Sequence, residues 1–136
     1  MNTKTLDEVR ELFKNDRFAM KSGAVIDEIG EHYAKCSLEV SDSHRNALGA
    51  VMGGAIFTVA DFAFAVAANW QEPGGVSLNS NIAYLGMAKG ERLLALARCV
   101  KNGRTTSYYN IDVEDELGNQ VAAVTMTGYR IPFSEH

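Results

Sequence analysis

The sequence predicts an α+β fold in which an antiparallel sheet of five to six strands wraps around one long central helix, with an extra helix at the N-terminus. Three observations predict it. The run from Gly53 to Trp70 is apolar around nearly its whole circumference and holds one ionisable residue, Asp61; a helix apolar on all sides is enclosed by other elements. Six further segments, two before it and four after, alternate apolar with polar residues or run continuously apolar between turn residues, which is the pattern of strands. The last three follow one another through short turns, as an antiparallel meander does. Such a sheet buries an all-apolar helix by curling around it.

Thr5 to Asn15 is predicted as an amphipathic helix. Thr5 with Glu8 three residues on is a capping-box pattern, and Leu6, Val9, Leu12 and Phe13 recur at helical spacing. Arg17 to Ser22 reads as a connection. Strands are predicted over Ala24–Ile29 and Tyr33–Val40, with a turn at Gly30; the second places Ala34, Cys36, Leu38 and Val40 on one face. Ser41 to Met52 carries turn residues and reads as a loop. The central helix follows over Gly53–Trp70, its alanines letting other elements approach closely. Gly75–Leu85, Arg92–Val100, Thr105–Glu114 and Val121–Ile131 are the remaining strands. Asn102-Gly103 predicts a two-residue hairpin turn, and Leu117-Gly118-Asn119 a second turn.

The chain has 136 residues, 46% of them hydrophobic and 22% charged, which suits one globular domain over residues 1–136. A formal charge of −4 is the wrong sign for general nucleic-acid binding. Asp61 near the middle of the apolar run opposes a membrane span, because a charge at the bilayer centre is costly. The two cysteines, Cys36 and Cys99, form neither a disulfide framework nor a metal-ligand set, and are expected as small buried residues. With a polar N-terminus unlike a signal peptide, the expected location is the reducing cytoplasm.

Asp61 is the first candidate for chemistry. A carboxylate among apolar residues either has a raised pKa and a task, or reaches the rim and is solvated. Gly53-Gly54 is the second: a helix start carries unpaired N–H groups and partial positive charge, and glycine lets a ligand approach them. That pair is an oxyanion site or a plain turn. Eight residues separate Gly53 from Asp61, about 12 Å along one helix. One subunit cannot easily aim both at one reacting atom; two subunits with antiparallel helices can. Asn46 either orients a water or caps its loop, and His44 is either a general base or a solvated loop residue. Ser77, Asn79 and Asn81 are expected as a polar stripe on one strand face. Arg92, Lys101 and Arg104, near turns, either meet phosphate groups or are solvated. Phe57, Phe62, Phe64 and Trp70 either line a pocket or pack the core.

The stretch Asn46-Ala47-Leu48-Gly49-Ala50-Val51-Met52-Gly53-Gly54, followed by Asp61, resembles the hot-dog-fold acyl-CoA thioesterases, in the branch typified by the phenylacetate-degradation thioesterase. The family's pattern is Asn, two residues, Gly, two residues, His-Gly-Gly, then an acid eight residues after the first paired glycine. Met52 stands where the family has its histidine. Val76 to Gly90 is similar to the family's strand after the helix, Gly103-Arg104-Thr105 to its hairpin, and Glu114 to Gly118 to its last turn. The resemblance extends over roughly residues 20–131.

The resemblance implies hydrolysis of an acyl-CoA thioester to free acid and CoA. Gly53 would offer its N–H to the thioester carbonyl. Asp61 of the neighbouring subunit would act as general base or nucleophile. Asn46 would help to place the water or the carbonyl, and Ser77 would assist near the acid. Met52, Gly54, His44, Asn79 and Arg104 would line the substrate site, with Arg104 toward the phosphates of coenzyme A. A homodimer with shared active sites, assembled as a dimer of dimers, is implied, with no metal and no cofactor beyond the CoA of the substrate. Two other activities suit the same fold. Met52 in place of histidine suits a non-catalytic acyl-CoA-binding protein. An enoyl-CoA hydratase or dehydratase would need a histidine paired with an acid, and none of His32, His44 and His136 stands at the helix start.

Overall fold

The structure, a computed structural model, describes residues 3–132; His136 lies outside them. The capping box forms: the Glu8 N–H donates to Thr5 Oγ1 at 3.2 Å, and the Thr5 N–H to Glu8 Oε1 at 2.9 Å. Helix α1 (Leu6–Phe13) ends two residues earlier than the sequence predicts. It buries Val9 and Phe13, and the Phe13 ring meets Phe62 edge-on with centroids 6.0 Å apart. The segment expected as a connection is a second helix, α2 (Arg17–Ser22), ended by Gly23 at φ +91°. Six residues are too few to show a helical period, and a helix so short holds only by packing. α2 packs on the central helix through buried Ala19.

Among the described residues the sheet has six strands, β1 (Ala24–Gly30), β2 (Tyr33–Glu39), β3 (Gly75–Tyr84), β4 (Arg92–Asn102), β5 (Thr106–Asp115) and β6 (Gln120–Arg130). Their spatial order is β1-β2-β4-β5-β6-β3, with every neighbouring pair antiparallel. The meander is therefore β4-β5-β6, and β1 and β3 are the edges. The β4–β5 turn has two residues, but they are Arg104-Thr105 rather than the expected Asn102-Gly103. A register shift between Cys99 and Lys101 carries Asn102 into the ladder opposite Ser107. The turn is closed instead by the Gly103 N–H donating to the Thr106 carbonyl at 2.8 Å.

Helix α3 (Gly53–Asn69) lies on one face of this sheet, mainly against β2 and β4. Val59, Val66 and Phe62 meet Leu38, Leu93 and Ile111 in one buried cluster; each such side chain contributes about 1.5–3 kcal/mol. One stripe of α3 stays uncovered: Gly54 and Asp61 are exposed, and Phe57, Thr58 and Ala65 half-buried. The C-terminal end is tied down. Asn69 exchanges two hydrogen bonds with the backbone of Gly75, at 2.7 and 2.9 Å, and the Trp70 indole donates to the Gly30 carbonyl at 2.7 Å. No helix of the described residues is long and apolar enough to cross a membrane.

Asp115, at the end of β5, is fully buried and ionised. Its carboxylate accepts from the N–H groups of Lys89, Gly90, Leu117 and Asn119 and from the Asn119 amide, at 2.8–3.0 Å. Burial alone would push its carboxyl up, but these donors outweigh burial and hold it well below the usual carboxylate range. Beside it, Glu116 accepts from the N–H groups of Glu91 and Arg92. The two acids pin the β3–β4 connection to the β5–β6 turn.

Candidate active site

The loop before α3 is organised by its own side chains. Asn46 Oδ1 accepts from the N–H groups of Leu48 and Ala50, at 2.9 and 3.1 Å. The Asn46 side chain thus closes the loop that leads into the helix. His44 is neither a solvated residue nor a base facing a ligand. It is buried, its Nδ1 accepts from the Ser41 N–H at 2.9 Å, and its Nε2 donates to the Ser22 carbonyl at 2.8 Å. This pairing sets the neutral tautomer with the proton on Nε2. His44 clamps the loop to the end of α2 and does not line the substrate site. Replacing it by alanine strands one donor and one acceptor. His44→Ala is expected to lose roughly 2 kcal/mol, measured by urea denaturation.

Met52 is the N-cap residue of α3 and makes no side-chain cap. The helix start is therefore free of an internal acceptor from that side chain, as an anion site requires. Gly53 is needed as glycine: the Tyr84 hydroxyl donates to the Gly53 carbonyl at 3.2 Å, and a Cβ at 53 would stand 2.9 Å from that oxygen. A Cβ at Gly54 would meet the Met52 methyl at 3.3 Å. A pocket of about 330 Å³ opens at this end, lined by Val51, Gly53, Ile56, Tyr84 and Met87. Tyr84 was not singled out in the sequence. It ends an edge strand 31 residues away from Gly53, and no local pattern joins the two.

Asp61 lies two turns further along the open stripe, in a separate groove shared with Asp16, Phe18, Phe57 and Thr58. It is exposed in the single protomer, yet partial desolvation in the groove, and then the Asp16 carboxylate, push its carboxyl above the ordinary value. One protomer therefore keeps the uncapped helix start and the acid in different depressions.

The polar stripe expected on β3 is divided. The register shifts between Ser77 and Asn79, leaving Leu78 as a bulge. Ser77 pairs with Gly128, whose Cβ position faces Phe64 of α3, so Ser77 lies on the helix side. Asn79 and Asn81 pair with Thr127 and Thr125, which alternate with buried Met126 and Val124, so both lie on the outer face. Asn79 is thereby turned away from the helix start. Arg104 is exposed in the β4–β5 turn. Cys36 is buried, and desolvation pushes its thiol up and out of reactive range. Phe62, Phe64 and Trp70 are core residues; of the four aromatic candidates, half-buried Phe57 and one side of Phe62 line a groove. Among the described residues, no group of three or more His, Cys, Asp or Glu is placed to hold a metal ion.

Comparison with known proteins fits this geometry. Residues 48–122, which contain the end of the loop, α3, β3 to β5 and the first residues of β6, match the thioesterase superfamily. A putative esterase of Archaeoglobus fulgidus is 35% identical over 121 residues, covering 88% of this chain and 79% of the relative. The acyl-coenzyme A thioesterase PaaI of Escherichia coli is 29% identical over 133 residues, covering 96% and 94%. Among solved structures, the E. coli PaaI protein from the phenylacetic acid degradation operon superposes with a TM-score of 0.86 at 27% identity, over 91% of each chain. A hypothetical thioesterase protein with coenzyme A from Streptococcus pneumoniae superposes at 0.80 with 27% identity, over 88% and 96%. The chain has the hot-dog fold and belongs to the thioesterase superfamily, on the branch of the phenylacetate-degradation thioesterases.

Proposed function

We propose that the protein hydrolyses acyl-CoA thioesters to the free acid and CoA, in a site shared between two subunits. The observation that carries this is the separation on α3: an uncapped helix start at Gly53 in one depression, and the helix's sole ionisable residue, Asp61, in another. A second copy packed with its helix antiparallel brings the Gly53 of one against the Asp61 of the other. The β3 edge offers the surface for that pairing, with Val76, Leu78 and Tyr84 exposed along an unpaired ladder. A dimer of dimers is the full assembly. The names of relatives support the reaction, one an acyl-coenzyme A thioesterase and one a thioesterase with coenzyme A.

The thioester carbonyl takes the Gly53 N–H, worth about 3–4 kcal/mol for an oxyanion donor. Asp61 of the partner removes a proton from water as the oxygen bonds to the carbonyl carbon. The tetrahedral oxyanion collapses, the carbon–sulfur bond breaks, and the CoA thiolate takes up the proton. Asn46 holds the loop that aims Gly53, Met52 and Gly54 border the carbonyl, Ser77 supplies a hydroxyl near the acid, and Arg104 meets CoA phosphate. No cofactor beyond the substrate's own CoA enters these steps.

Complementation tests the shared site. Gly53→Pro removes the N–H but also adds a Cβ against Tyr84, so Gly53→Ala, which adds the Cβ and keeps the N–H, is its control; proline otherwise suits the first helical position, and Met52 already holds ψ at 148°, where proline forces its predecessor. Gly53→Pro and Asp61→Asn are each expected to lose most of the activity, and oligomers mixed from the two to regain CoA release, read with a thiol reagent. No recovery in mixed oligomers rules out a site built across subunits. Binding of acyl-CoA by the unmodified protein without any CoA release would favour a binding protein, the alternative that Met52 suggests.

A further inference from the structure

The groove beside Asp61 has a wall that the reaction above leaves unused. It is built by residues before β1, outside the span 48–122 that matches the family. Gly23 in the left-handed region ends α2, Ala19 seats it on the core, and His44 ties its last carbonyl to the loop before α3. α2 is thus held firmly, and it carries Phe18 at 74% exposure in a groove of about 330 Å³. Across from Phe18 are Phe57, Phe62 and Ala65 of α3, with Asp61 in the same groove. A large apolar side chain left in solvent beside other apolar surface marks a binding site. Continuity with the carboxylate says what fills it: the part of the substrate next to the carbon that is attacked.

We propose that Phe18 is a specificity-determining residue of this site, forming with Phe57 and Ala65 the receptor for an apolar acyl group of several carbons or an aryl ring. The proposal rests on the reading of Asp61 as the catalytic acid. An acetyl group has no apolar chain beyond one methyl with which to cover the ring. The groove's ionisable groups among the described residues are Asp16, Arg17 and Asp61; two carboxylates against one guanidinium oppose an acyl group that itself ends in a carboxylate.

The test is CoA release by the full chain from acetyl-, hexanoyl-, benzoyl- and succinyl-CoA. Unmodified protein is expected to favour hexanoyl and benzoyl over acetyl and succinyl. Phe18→Ala is expected to lower the hexanoyl-to-acetyl ratio of kcat/KM about tenfold, which corresponds to about 1.4 kcal/mol, while Phe18→Leu retains most of it. Leu117→Ala, at a residue 67% exposed beyond the end of β5, leaves the ratio unchanged. A Phe18→Ala ratio within twofold of the parent, an equal loss on every thioester, or a change of oligomeric mass on sedimentation overturns the proposal. Absence of CoA release from every thioester by the unmodified protein overturns the thioesterase reading instead. In that case calorimetric Kd values decide on Phe18. A tenfold fall in preference for hexanoyl- over acetyl-CoA in Phe18→Ala sustains the receptor, and an unchanged preference overturns it.

Discussion

Asp61→Asn is expected to lower kcat for acyl-CoA hydrolysis by about 10²–10⁴-fold, the contribution of a positioned base, with oligomeric mass and acyl-CoA Kd unchanged. The substitution keeps shape and hydrogen bonding but cannot accept a proton. Because Asp61 is exposed in the protomer, asparagine there strands no partner in the fold. The remaining helix-start donor supplies the residual rate. The pH profile of the parent carries a second signature. Desolvation first and Asp16 second raise the Asp61 carboxyl, and the base must be ionised to act. Activity therefore falls, as pH drops, at a value above the ordinary aspartate value of about 3.9, and the residual rate of Asp61→Asn lacks that limb. Stopped-flow CoA release across pH reads both. Undiminished turnover in Asp61→Asn would remove this carboxylate from the reaction.

Asp115→Ala is expected to cost about 3–5 kcal/mol, the loss seen when a buried charge network is broken. Against a typical total of about 5–15 kcal/mol, that is a large share. Four backbone N–H groups and the Asn119 amide lose their acceptor together. Asp115→Asn is expected to lose nearly as much, because half of its amide presents hydrogens to donors. The pH dependence has a definite sign. The folded carboxyl lies well below the usual range while the unfolded one titrates near about 3.9. The stabilisation is therefore complete above about pH 4 and is lost as pH falls from there toward the folded value. Urea denaturation should show the gap between parent and Asp115→Asn narrowing below about pH 4. A gap independent of pH would mean that ionised Asp115 is not what the network requires.

These two acids differ in how visible they are in the sequence. Asp61 stands out because it is the one ionisable residue in an otherwise almost wholly apolar run, and the same contrast marks the helix. Asp115 stands among Glu114 and Glu116, where acids are ordinary; its importance arises from N–H groups about 25 residues away. The strands are legible because alternation is local. The division of Ser77 from Asn79 is not, since a bulge is set by the partner strand β6. Helix α2 is hidden by its length, and Tyr84 by the distance to Gly53. His44 shows a further limit: its residue type suggests proton transfer, and only its two partners assign it to holding the loop.

The strand order also bears on how the chain reaches this state. β3 is made directly after the central helix, yet among the described residues its only partner in the sheet is β6, the last strand in sequence. On a ribosome it emerges with one ladder edge unmatched until the whole meander has followed, carrying Val76, Leu78 and Tyr84 in the open. Closing that pairing costs the entropy of a long intervening segment. Segment β4-β5-β6 is joined by near neighbours and can assemble first. The edge proposed to join subunits is thus the last edge to exist, and assembly must wait until β6 has been made.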